Sequence, residues 1–86
     1  LTVELKNEAG LHARPSSKVV EVTSKDDADI TVHTENESVN GKSIMGLMLL
    51  GAEKGKRLKL VANGVDEHQL LEALRQLVEE EKFNEE

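Results

Sequence analysis

The residues best suited to chemistry lie in one short run. Asn7 to Ser17 reads NEAGLHARPSS, a glycine-containing turn leading into His12, Ala13, Arg14 and Pro15. If Arg14 to Lys25 is a helix, His12 falls at or near its N-cap. The backbone N–H groups of Ala13 and Arg14 then point toward the imidazole, and the positive end of the helix lies beside it. Such a place attracts anions, phosphate above all. It disfavours a neighbouring cation, which suits a nucleophilic imidazole. Arg14 can fold its guanidinium onto a phosphoryl group and share its charge. Pro15 lacks an N–H, which costs nothing in a first turn and fixes the backbone there. The trio suits a histidine that takes up and releases a phosphoryl group. A lone loop histidine is also commonly just a solvated side chain, and an arginine two residues away arises by chance. The motif therefore needs support from elsewhere in the chain.

The elements that must position this run follow from periodicity. Thr2 to Lys6 alternates, with Val3 and Leu5 on one face, and predicts a half-buried strand. Asp29 to Thr34 alternates in the same way around Ile30 and Val32, and Arg57 to Ala62 does so around Leu58, Leu60 and Ala62. Val39 begins a short further strand after the polar turn Glu35–Ser38. Period-2 patterning in three of four strands predicts a sheet covered on one side only. Ser43 to Leu50 opens on an N-cap residue and stops at Gly51, so it reads as a short helix weakened by Gly46. Leu70, Leu71, Leu74, Leu77 and Val78 recur at helical spacing, with Asp66 and Gln69 as a capping box. Arg14 to Lys25 stays open. Val19, Val20, Val22 and Thr23 favour strand, whereas Pro15 and the segment's length favour helix. The pattern is an α+β domain occupying residues 1–86.

Composition removes whole classes of function. The chain has 86 residues and no cysteine, which excludes a thiolate metal site or a cysteine nucleophile. Its longest apolar run is Leu47–Leu50, so no segment is expected to span a membrane. Phe83 is the only aromatic residue and the net charge is −6, which argues against nucleic acid as a partner. His12, His33 and His68 lack ligand spacing, so neither metal nor cofactor is expected. His33 falls on the open face of its strand. Lys54, Lys56, Arg57 and Lys59 cluster around Gly55 as a solvated turn or as help in docking. Glu79 to Glu86 reads EEEKFNEE, which predicts a solvated, frayed helix end.

A second segment changes the weight of the first. Val39 to Gly51 reads VNGKSIMGLMLLG. GLHARP followed by NGKSIMGLM resembles the HPr family, histidine-containing phosphocarriers of the bacterial phosphoenolpyruvate-dependent sugar phosphotransferase system, and the wording SIMGLM resembles its Gram-positive type. The similarity runs along nearly the whole chain, to the closing DEHQLLEAL. The resemblance implies an open-faced β-sandwich, a four-stranded antiparallel sheet with three helices on one face in the order βαββαβα. It makes the first ambiguous segment a helix. It further implies that His12 is phosphorylated on Nδ1 by phospho-enzyme I and passes the group to IIA domains of sugar permeases. Arg14 and the Ala13 N–H would steady the phosphoryl group. Ser43 would be the target of an HPr kinase/phosphorylase, read out by a transcription regulator. Ile44, Met45 and Met48 would form the docking patch, joined by Ser17 and flanked by Glu21. Leu47, Leu49 and Leu50 give that helix more apolar surface than one face can bury. A carrier of this kind is expected to be a cytoplasmic monomer that binds no cofactor and is not itself an enzyme. The alternative is a regulatory paralogue acting through Ser43; such paralogues are marked by loss of the active histidine, and His12 is present here.

Overall fold

The structure is a computed structural model that describes residues 1–84. Four strands, β1 (Thr2–Glu4), β2 (Asp29–His33), β3 (Ser38–Asn40) and β4 (Arg57–Asn63), form one antiparallel sheet ordered β1-β4-β2-β3. Three helices, α1 (Ala13–Thr23), α2 (Ile44–Leu49) and α3 (Glu67–Arg75), cover one face, giving βαββαβα. The alternation sets which face is covered. Val3, Leu5, Ile30, Val32, Leu58 and Leu60 are all buried toward the helices, while Glu4, Thr31, Lys59 and Val61 line the open side. Register places Val32 between Val39 and Leu60, in the middle of the sheet. His33, expected to be exposed, is half-buried between Ser38 and Lys59 of the flanking strands.

The ambiguous segment is helical. Pro15, Ser16, Val19 and Thr23 fall on its buried face at helical spacing. Tertiary burial thus overrides the strand preference of its β-branched residues. Thr23 anchors the far end, its hydroxyl donating to the carbonyl of Gly41 at 3.0 Å. Lys42 Nζ donates to the Asp26 carbonyl nearby. The C-terminal half of α1 is therefore tied to the turn that precedes α2.

Two expectations about the chain's end need correction. Asp66 and Gln69 form no capping box. The Asp66 carboxylate instead accepts the N–H groups of Asp27 and Ala28 at 3.0 and 2.9 Å, closing the α1–β2 turn onto the start of α3. Glu67 reaches back to the Gly64 N–H at 3.1 Å and closes the turn that leads into α3. Nor is the acidic end a frayed helix where it is described. A π-helical turn, Gln76–Glu80, closes with Glu81 N–H on the Gln76 carbonyl. Arg75 clamps it, bonding Glu72 at 2.7 Å and Glu80 at 2.6 Å. Lys82, Phe83 and Asn84 then take left-handed backbone (φ 51°, 59° and 57°). That conformation is costly for side-chain-bearing residues. Its compensation is Phe83, whose side chain is completely buried, and Lys18 Nζ, which donates to the Phe83 carbonyl. Glu85 and Glu86 lie outside the described residues.

Two outcomes follow. Phe83→Ala removes the largest fully buried side chain and should cost about 3–5 kcal/mol in urea unfolding, where a solvated tail would show no loss. The N–H of Asp27, aided by that of Ala28, holds the Asp66 carboxyl below its usual range. Its stabilising effect is therefore complete above the unfolded-state pKa and disappears as pH falls through the lower folded value. Asp66→Asn should reduce the thermal midpoint at neutral pH and flatten its decline below about pH 4.

Candidate functional site

The turn before α1 is built around a close approach. Asn7 Nδ2 donates to the Gly10 carbonyl at 2.8 Å, and the Gly10 N–H returns to the Asn7 carbonyl at 3.2 Å. Gly10 sits at φ 69°, and a Cβ there would lie 2.4 Å from the Ala52 oxygen. No other residue fits this position without moving the backbone. The next residue, Leu11, is buried and donates its N–H to that same Ala52 carbonyl at 2.8 Å. The turn is thereby fastened to the loop that leaves α2.

His12 follows at once as the N-cap of α1, with extended backbone (φ −110°, ψ −159°) and an exposed side chain. Its carbonyl accepts the N–H of Ser16 at 2.9 Å. Ala13 and Arg14 thus precede the first donor of the helical ladder, and Pro15 occupies the last position where a missing N–H costs no bond. Ala13, Arg14 and Ser17 are exposed, while Pro15 and Ser16 are buried beneath them. Ser16 is small enough for that space, but its Oγ has no hydrogen-bond partner among the described residues.

The second half of the site is α2, which packs against α1. Ser43 is its N-cap, and the Ser43 Oγ accepts the Gly46 N–H at 3.1 Å. Gly46, a liability for helix stability, has a packing reason: a Cβ there would stand 3.2 Å from Cβ of Val39 on β3. Leu47 is buried and Leu50 is half-buried against the core. Ile44, Met45 and Met48 face outward at 40%, 69% and 42% exposure. Leu49, not assigned to the patch from sequence, is the most exposed at 76%. Its signal was available: Leu49 follows Met45 by four residues and shares its face.

The charge pattern of these two segments was also missed from sequence. From Ala9 to Val20 and from Ser38 to Ala52 the chain carries Arg14, Lys18 and Lys42 and no acidic residue, although its net charge is −6. The acidity lies elsewhere, and the exposed Glu8 and Glu21 flank the first of these segments. Lys54 of the basic cluster pairs with Glu8 at 2.7 Å, and this ammonium holds the Glu8 carboxyl below its usual range. His33 and His68 are not part of the arrangement. Among the described residues no three His, Cys, Asp or Glu side chains gather where they could hold a metal ion, and no helix is long and apolar enough to cross a membrane.

Taken together, the surface offers an exposed imidazole at a helix N-terminus, a guanidinium two residues on, and an adjoining strip of uncharged apolar side chains. Residues 1–80 match the family model described as "PTS HPr component phosphorylation site". Phosphocarrier protein HPr of Xylella fastidiosa (strain Temecula1) is 44% identical over 79 residues, covering 92% of this chain and 88% of that protein. The HPr-like protein Crh of Bacillus subtilis is 39% identical over 79 residues, covering 92% and 93%. Among solved structures, HPr from Thermoanaerobacter tengcongensis superposes with a TM-score of 0.94 at 48% identity, covering 100% of this chain and 96% of the other.

Replacing Gly10 tests how the turn is held. Gly10→Ala meets both the positive φ and the Ala52 oxygen, and should destabilise the fold by about 1–3 kcal/mol. Amide shifts should change at Leu11 and Ala52; unchanged shifts would mean that the contact does not hold the turn.

Proposed function

This chain belongs to the HPr family of phosphocarriers, and from that premise we propose that His12 accepts a phosphoryl group from phospho-enzyme I and delivers it to the IIA domains of sugar permeases. In the first transfer the Nδ1 lone pair of His12 forms the new P–N bond. The donor's P–N bond breaks, and its electron pair returns to the donor imidazole. The second transfer repeats this with His12 as donor. The observation that carries the reading is the exposed His12 at the head of α1, on a turn pinned by Leu11 to Ala52. Pinning supports transfer because the imidazole need not be ordered anew for each encounter. The N–H groups of Ala13 and Arg14 and the Arg14 guanidinium supply positive charge where the phosphoryl oxygens would rest.

Ile44, Met45, Met48 and Ser17 are proposed as the docking surface shared by these partners. Methionine adapts its shape to different apolar surfaces, as a relay with several partners requires. Ser43 is proposed as a regulatory site for an HPr kinase/phosphorylase. A phosphate there would add about −1.5 to −2 charge to the head of the docking helix, opposing an acidic partner and favouring a basic one such as a transcription regulator. The similarity to Crh keeps a purely regulatory role as the second reading; His12 beside Arg14 favours the carrier. The carrier is placed in the cytoplasm, where phosphoenolpyruvate is available, and acts without a cofactor.

The test is direct. Incubation with phosphoenolpyruvate, magnesium and enzyme I should add one phosphate by mass, labile in acid and stable in alkali, and absent from His12→Ala. Arg14→Ala should retain its fold and slow transfer by about tenfold or more; an unchanged rate would remove Arg14 from the mechanism. Ser43→Asp should bind enzyme I more weakly than the parent, measured by titration calorimetry.

A further inference from the structure

The outer edge of β1 is closed by a side chain from the other end of the chain. Alternation along this strand is set by its bonds to β4. Leu1 exchanges hydrogen bonds with Leu60, and Leu5 donates to the Lys56 carbonyl and accepts from Gly55. Val3 stands opposite Leu58 in the same register. Odd-numbered residues therefore turn their N–H and C=O groups inward, and Thr2 and Glu4 turn theirs to the outside. One outward donor is taken: the Glu4 N–H donates to Glu79 Oε2 at 3.0 Å. Thr2, Val3, Glu4, Arg57 and Glu79 line a shallow depression along this edge.

We propose that Glu79 is a gate on the outer edge of β1, and that opening it lets this edge pair with the β1 edge of a second copy of the chain. The exposed groups are self-complementary. With Val3 on a two-fold axis, Thr2 of one copy lies antiparallel to Glu4 of the other. Each such pair exchanges two N–H to C=O bonds, and the symmetry repeats them. The sheet then continues across the junction, its open face uninterrupted. Thr2 meets Glu4 on that face, so no like charges stand directly opposite. A second copy matches this edge group for group. In the closed state the carboxylate occupies the Glu4 donor that the pairing requires. An edge strand with free donors is a template for association, and a carboxylate laid across it blocks that use.

Sedimentation equilibrium and backbone hydrogen exchange on the full chain test the gate. The parent should remain at its monomer mass of 9.5 kDa, with the Glu4 amide exchanging more slowly than that of Thr2. Glu79→Ala, and Glu79→Met, which keeps the stem but not the acceptor, should raise the weight-average mass by at least about 1.5-fold near 1 mM. Glu79→Gln retains an acceptor oxygen and should stay monomeric. Adding Thr2→Pro to Glu79→Ala removes an outward N–H at a position an edge strand tolerates and should restore the monomer. A folded Glu79→Ala or Glu79→Met chain that remains monomeric overturns the proposal. So does a parent whose Glu4 amide exchanges as fast as that of Thr2, a result that needs no variant to fold.

Discussion

The contact between Gly10–Leu11 and Ala52 is the constraint on which the candidate site depends. It joins two loops about forty residues apart through one hydrogen bond and one close backbone approach. One loop leads into His12, and the other leaves α2. Without it, α1 and α2 would still share the core, but the head of α1 would have no fixed relation to the strip on α2. The far end of α1 is tied to the turn before α2 through Thr23 and Gly41. The two helices are thus bound at both ends through main-chain carbonyls, one receiving the Leu11 N–H and the other the Thr23 hydroxyl.

The sequence was most legible where a single period settles the matter. Val3, Leu5, Ile30, Val32, Leu58 and Leu60 alternate, and all six are buried. Ser43 was read as a cap and is one, because capping is a local bargain between a hydroxyl and an N–H three residues away. Asp66 shows the opposite case. Its type and position suit a helix cap, but two N–H groups nearly forty residues upstream compete for it and win. No local window contains that competition. In α1 the residues alone left strand and helix open, and the resemblance to a known family supplied what periodicity did not.

The acidic end was illegible for a related reason. Charge density in EEEKFNEE says solvent, and one phenylalanine carries little weight in such a run. Yet Phe83 joins Leu11, Val19, Leu74 and Val78 in the core and lines the same small cavity, and Lys18 secures its carbonyl. Burial of one large ring outweighs three left-handed residues that pattern reasoning would not place in succession. The exposure of the candidate residues was easier to read than the frame around them. His12 at the N-cap of α1 and Ala13, Arg14 and Ser17 within it are exposed, as are Ile44, Met45 and Met48 on α2. Leu49 and the acid-free character of both segments were plain in the residues, but became meaningful only once two helices were known to adjoin.

Helix α2 holds no side chain that donates a hydrogen bond, and its only acceptors are the weak thioethers of Met45 and Met48: Ile44 to Leu49 reads IMGLML. Whatever covers such a helix leaves no donor stranded, so poor fits carry little penalty beyond lost contact. If α2 is the docking helix proposed above, recognition through it would be indifferent to orientation and forgiving of shape. Discrimination between one visitor and another would then fall to the charged groups at its margins, where a mismatch is felt.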